Sequence, residues 1–238
     1  MALFTNNWLA LLITFIIALV WLRFVDFIAA RGWIDSSLSR KIIHIGTGPI
    51  FVLCWLLFND HSDARWLAAL VPLLITIQFL MVGTGLLKDS EAVKAMSRSG
   101  NRRELLRGPL MYGIVFILLT VIYWRNSPLG IIALMVLCAG DGLADVIGTR
   151  AANTPHLPWS PRKSWLGSLA MFFGGWLAST IVMWIFILSG LIKLGSIQLV
   201  IGSGVVALVC ALVESLPFSD IDNLTVPLAA LCVGYLIF

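Results

Sequence analysis

Apolar residues run through this chain in long stretches rather than alternating with polar ones. Eight stretches stand out, at about 7–29, 43–58, 64–87, 109–124, 128–148, 166–190, 196–214 and 223–238. Most approach the ~20 residues that a helix needs to cross the hydrocarbon core of a bilayer. The second, fourth and eighth are shorter, so the pattern predicts seven or eight crossings. Alternating strand patterns are missing, which argues against a closed barrel. The expected fold is all-α: a polytopic transmembrane helical bundle forming a single domain over residues 1–238. Composition agrees, since only 12% of residues are charged and mean hydropathy is +0.98, whereas a soluble domain carries about 25% charge.

The bases divide unequally between the loops. Numbered in chain order, the loops after segments one, three and five hold 3, 6 and 3 Lys or Arg, 12 in all; those on the opposite side hold 3 (Arg65, Arg125, Lys193), and Arg23 lies near the end of segment one. Positive-inside bias then puts both termini outside and the 12-charge side in the cytoplasm. The net charge of +4 therefore reports topology. No clustered basic face carries base-reading or stacking groups, so nucleic acid is not an expected partner. Nothing before Trp8 resembles a signal or transit peptide, which favours a prokaryotic cell membrane, with a thylakoid-type membrane beside it. Cys54, Cys138, Cys210 and Cys232 lie inside apolar runs without metal-like spacing and read as packing residues.

Acidic residues change the picture. Asp141 and Asp145 interrupt the fifth run as CAGDGLADVIG, and Glu214, Asp220 and Asp222 follow the seventh as ESLPFSDIDN. An ionised side chain at bilayer depth costs roughly 2.5–3.5 kcal/mol even on the lenient insertion scale, which makes these residues functional candidates. Spaced four apart, Asp141 and Asp145 share a helical face, and Gly140, Ala144 and Gly148 form a small-residue stripe that lets another helix approach. Two carboxylates one turn apart suit Mg²⁺, which keeps several waters and also contacts phosphate oxygens.

Bases gather at the same end. In SLSRKIIHIGTG, Arg40, Lys41 and His44 can share a helical face, and Gly46 and Gly48 allow close backbone approach. In TPHLPWSPRKSWLGS, three prolines stiffen a loop in which Arg162, Lys163 and Ser164 precede a helix start, with Gly167 just inside it; bases and backbone N–H groups there suit phosphate. It is not a Walker A loop, because the required glycines are missing before Lys163. The loop from Lys88 to Gly108, with six bases and three acids, reads as an amphipathic stretch near anionic headgroups. Five acids thus meet Arg40, Lys41, Arg150, Arg162 and Lys163 on one side of the membrane. Phosphoryl transfer needs that mixture, since it rests mostly on positioning and charge stabilisation.

The ordered set RKIIH (40–44), GDGLADVIG (140–148), RKSWLGS (162–168) and ESLPFSDIDNLTVP (214–227) resembles the polyprenol kinase family, which includes dolichol kinase, phytol kinase and the CTP-dependent diacylglycerol kinase. The run DNLTVP and the compact length most resemble phytol kinases. The resemblance implies transfer of the γ-phosphoryl group of a nucleoside triphosphate from the cytosol, often CTP, to a long-chain alcohol in the bilayer. Phytyl phosphate would then feed tocopherol or chlorophyll-related salvage. Carried onto this chain, Asp141, Asp145, Glu214 and Asp222 become metal or catalytic acids, with Asp145 the choice for proton acceptor. Arg40, Lys41 and Lys163 hold phosphates, with His44, Arg162, Ser164, Gly167 and Asn223 in support.

Other readings stay open at this point. A CDP-alcohol phosphotransferase fails, because DGLA is followed by Asp145 and Val146 rather than the arginine pattern that family needs. A cytidylyltransferase making a CDP-lipid would also bind CTP and Mg²⁺ at a membrane face. An ion-coupled transporter would prefer its acids at the midplane, and a membrane scaffold would need none of them.

Overall fold

The computed structural model describes residues 6–97, 99–150, 154–217 and 221–238. Among the described residues, seven helices are long and apolar enough to cross a membrane, and the last helix, Asp222–Ile237, is a shorter apolar one. Together they form the polytopic helical bundle that the hydropathy pattern predicts.

Helix starts follow local chemistry. Asn6 caps α1 (Asn7–Ala30), its side chain accepting from the Trp8 N–H. Asp35 caps α2 (Ser36–Cys54) through the Leu38 N–H, and α2 continues as a 3₁₀ turn, Trp55–Leu57. Such caps satisfy N–H groups that a helix start leaves without partners. After α3 (Ala64–Thr84), Asp89 caps the short α4 (Ser90–Met96), and a 3₁₀ turn at Arg102–Leu106 leads into α5 (Gly108–Tyr123). Ser127 caps α6 (Pro128–Met135), with Pro128 in its first turn.

The fifth span is unusual. It runs as α6, a π turn at Val136–Asp141, and α7 (Gly142–Arg150). It is also the most enclosed span, with 72% of its apolar window buried against 22% for α1. The other helices surround it: α2, α5, α8 (Trp165–Leu188), α9 (Ser196–Glu214) and α10 (Asp222–Ile237) all pack on some part of it, while α1 and α3 lie further out.

Glycines set the contact between the central span and α8. A Cβ on Gly174 would lie 2.9 Å from the Ala139 carbonyl oxygen, and one on Gly167 would lie 3.4 Å from the Gly148 Cα. Gly140 meets Met171 and Gly175 in the same seam. On the other flank, a side chain on Gly48 would overlap Cys138, which lets α2 sit against the π turn.

Two elements differ from the hydropathy pattern. Segment two is predicted from residue 43, yet α2 begins at Ser36 and carries Arg40 and Lys41 as helical residues. Hydropathy stops at charges; the Asp35 cap does not. Between α7 and α8, the proline-stiffened loop holds a small antiparallel pair, β1 (His156–Leu157) and β2 (Ser160–Ser164), with Leu157 opposite Ser160.

Candidate active site

The amino end of α2, the carboxyl end of α7, the β1–β2 hairpin, the end of α9 and the start of α10 all lie at one end of the bundle. Antiparallel chain direction requires this, and the charged side chains meet there.

Two contacts, one helical turn apart, tie α2 to the central span. Lys41 is ion-paired with Asp145. One turn along, His44 Nε2 lies 3.7 Å from Asp141 Oδ2 and 3.3 Å from the Leu137 carbonyl oxygen in the π turn. A carbonyl can only accept, so Nε2 carries the hydrogen. Tyr112 holds the imidazole from the far side: its ring centroid is 4.5 Å away, and its hydroxyl donates to the His44 carbonyl at 3.2 Å. Arg40 Nη1 donates to the Ser97 carbonyl at 2.8 Å and so fastens α2 to the stretch after α4.

Asp141 faces a second group of acids. One carboxylate oxygen each from Asp141, Glu214 and Asp222 lies within 4.8 Å of the others. Lys163, from the end of β2, is ion-paired with Glu214 and lies 3.2 Å from Asp222 Oδ2. The Glu214 side chain is 5% exposed, and the Lys163 ammonium beside it offsets the cost of burying a carboxylate there. Burial works against the charge on Lys163. Glu214 and Asp222 outweigh that cost and raise its pKa above the ordinary lysine value of 10.5, so it is an ammonium at neutral pH.

Three clustered carboxylates form an all-oxygen donor set of the kind a hard divalent cation such as Mg²⁺ takes. Lys163 already neutralises part of their charge, through Glu214 and Asp222. The chemistry of the donor set therefore fits Mg²⁺ on Asp141, Glu214 and Asp222.

The remaining sequence-predicted residues fall nearby. Asp145 stands apart from the three acids and lines a neighbouring cavity with Lys41. Ser164 caps α8, its Oγ accepting from the Gly167 N–H at 3.1 Å, so the first donors of this helix are partly engaged within the chain. Gly167 packs against α7. Asn223 Nδ2 donates to the Gly108 carbonyl at 3.1 Å and joins α10 to α5. Arg162 is exposed on β2. Asp220 lies outside the described residues.

The cavity, of about 700 Å³, opens beside the Lys41–Asp145 pair. Its walls include Asp35, Lys94 and Arg150, and Asp35 pairs with Arg150 at 2.8 Å. The Leu38 N–H at the start of α2, with Arg150, holds the Asp35 carboxyl below the usual carboxylate range. Sequence patterns missed Asp35 and Lys94. The first was legible as an N-cap before the run SSLSRK; the second sits in a loop whose bases read as headgroup contacts.

A multi-pass helical membrane protein with clustered carboxylates, a half-buried lysine among them and a basic cavity at one end fits the class of membrane-embedded group-transfer enzymes that act where water meets lipid. Comparison with known proteins narrows the class. The chain is 46% identical over 224 residues to "Probable phytol kinase 3, chloroplastic" of Glycine max, covering 93% of this chain and 70% of that one. It is 42% identical over 228 residues to "Farnesol kinase, chloroplastic" of Arabidopsis thaliana, covering 95% and 74%. With "Phytol kinase 1, chloroplastic" of the same plant it shares 38% over 210 residues, covering 87% and 69%. The chain belongs to the polyprenol kinase family, a family of lipid-alcohol kinases, and stands with its phytol kinases. No family model and no solved structure matches it. These relatives are named as chloroplastic plant proteins, not as prokaryotic ones.

Proposed function

We propose that this chain transfers the γ-phosphoryl group of a nucleoside triphosphate, CTP before others, to an isoprenoid alcohol, with phytol the first choice and phytyl phosphate the product. The observation that carries the reading is the cluster of Asp141, Glu214, Asp222 and Lys163 beside a basic cavity at the charged end of the bundle. Phytol and farnesol come from the names of the relatives, and CTP from the family resemblance.

In this mechanism the alcohol oxygen attacks the γ-phosphorus, the bond to the β-phosphate bridging oxygen breaks, and the nucleoside diphosphate leaves. Asp145, ion-paired with Lys41, takes the hydroxyl proton. Arg40, Lys41 and Lys163 neutralise charge on the phosphates. Asp141, Glu214 and Asp222 would hold Mg²⁺, which would supply positive charge against the negative charge developing in the transition state. His44 and Tyr112 orient Asp141 and the π turn rather than meet substrate. The acceptor hydroxyl reaches the site from the bilayer, with its hydrocarbon among apolar helix faces. Such surfaces discriminate by only about 1–3 kcal/mol per methylene, so phytol, geranylgeraniol and farnesol are all accepted. The basic end faces the nucleotide-containing compartment, as positive-inside bias requires.

The test is transfer of label in liposomes. Purified protein receives Mg²⁺ with γ-labelled CTP or ATP and phytol, geranylgeraniol, farnesol or diacylglycerol. Label in phytyl phosphate, with CDP released, is the expected result. Label entering lipid from α-labelled CTP, with pyrophosphate released, would replace the kinase with a cytidylyltransferase.

A further inference from the structure

Among the described membrane spans, α1 is the least enclosed, and it lies at the edge of the bundle against α2 and α3. Ala10, Leu11, Thr14 and Val25 are buried on its inner side. The outer side has a pattern of its own. Leu9, Leu12, Ile16, Leu19, Arg23 and Asp26 are all exposed and follow one another at alternating steps of three and four residues. That is the heptad spacing of a helix that packs on another along a single seam.

Apolar exposure alone would be met by lipid tails, which are as apolar as leucine. The two charges are a different matter. With 24 residues, α1 is about 36 Å long, against ~30 Å of hydrocarbon. Asp26 lies four residues and Arg23 seven residues before its carboxyl end at Ala30, about 6 and 10 Å along the axis. With the helix centred in the bilayer, both side chains start inside the hydrocarbon. Helical side chains lean toward the amino end, here away from the nearer water. Among the described residues neither group has an ion pair or a hydrogen bond, although they lie three apart on one face. Ionised groups inside a membrane face the bundle interior or pair with one another, so this outward face calls for a partner.

The face complements itself. Arg23 and Asp26 carry equal and opposite charges about one turn apart. A two-fold axis along the membrane normal brings Arg23 of each copy to Asp26 of the other, and the seam then carries no net charge. Such an axis sets the two α1 helices parallel, in the closed arrangement of symmetric dimers. Ile16 at an a position between Leu12 and Leu19 at d positions is the pattern that favours two parallel strands. We propose that α1 is a homodimer interface, closed by reciprocal Arg23–Asp26 pairs between two copies of this chain. The carboxylate cluster lies on other elements of the bundle, so the inference does not rest on the kinase reading.

The test uses the full chain. Donor- and acceptor-labelled protein is mixed in detergent, reconstituted into phosphatidylcholine vesicles and diluted in lipid while energy transfer is read. Wild type should associate up to a limit of two copies. Arg23→Asp and Asp26→Arg set like charges against one another, and each should weaken association at least about tenfold, the scale of losing two interhelical polar contacts in a membrane. Both reversals together should recover it. A second measurement keeps the native charges: Leu19→Cys is oxidised in a Cys232→Ala background, because Cys232 is exposed. It should cross-link two chains where Leu177→Cys on α8, similarly exposed, does not. Monomers at every dilution overturn the proposal, as do single reversals that associate like wild type, or cross-linking through Leu177→Cys alone. A wild type that is monomeric by itself and co-purifies with another membrane protein through Asp26 gives the face to that protein and overturns the second copy.

Discussion

Lys163 has a demanding position. It is the cation nearest three carboxylates, one of them almost wholly buried, and they raise its pKa despite burial. A group whose pKa is raised on folding contributes stability fully below its unfolded value, here 10.5, and that contribution is lost as pH rises through the folded value. The thermal midpoint of wild type should therefore fall as pH rises above the ordinary lysine value of 10.5, a fall that should be smaller in Lys163→Met. In the transfer assay the same substitution should lower kcat by about 10²–10³-fold, the scale of losing one charge-stabilising donor. A variant that turns over normally would remove Lys163 from the mechanism. Such residues were partly legible in sequence: Asp141, Glu214, Asp222 and Lys163 stood out because charge is rare in apolar runs. That Asp141 joins Glu214 and Asp222 while Asp145 turns to Lys41 was not legible. Helical spacing puts both aspartates on one face, and the partners of each come from helices distant in sequence.

Elements set those partners. The π turn at Val136–Asp141 lies at the meeting of α2, α8 and α10, and wide turns of this kind recur at functional sites. Nothing in VLCAGD announces it, because an inserted turn depends on how neighbours crowd the helix. The glycine seam that admits α8 was easier to read, as the small-residue stripe Gly140, Ala144, Gly148. Its counterpart is Gly174, where a Cβ would come within 2.9 Å of the Ala139 carbonyl oxygen and 2.7 Å of Leu143. Gly174→Val should push α8 away from the π turn, with overpacking costs of about 1–3 kcal/mol. The measurements are a lowered thermal midpoint in detergent and reduced transfer, against no change for Gly195→Ala, where nothing lies within 4 Å. Equal midpoints for the two variants would mean that the seam is looser than its geometry.

The whole molecule has two unlike ends. At one, acids and bases converge on a cavity; at the other, Arg125 is 1% exposed, pairs with Asp60 at 2.6 Å, and donates to the carbonyl groups of Trp55 and Phe58 that end the α2 span. That arginine closes a helix end under Trp124 and has no route to the site. Arg125→Met should cost about 1–3 kcal/mol for the carbonyls it leaves without donors, lowering the thermal midpoint while folded enzyme keeps its nucleotide KM. A changed KM with an unchanged midpoint would reverse those roles. Hydropathy and loop charge made the bundle and its polarity legible before any coordinates, because lipid imposes length and apolarity on every span. The shape of the site was not legible, since it depends on which helices touch. The most direct test of the central claim is transfer of γ-labelled phosphate from CTP to phytol by wild type and by Asp141→Asn, both shown to be folded. Labelled phytyl phosphate from wild type, reduced at least about 10²-fold in the variant, is the predicted result; equal labelling by the two proteins would contradict it.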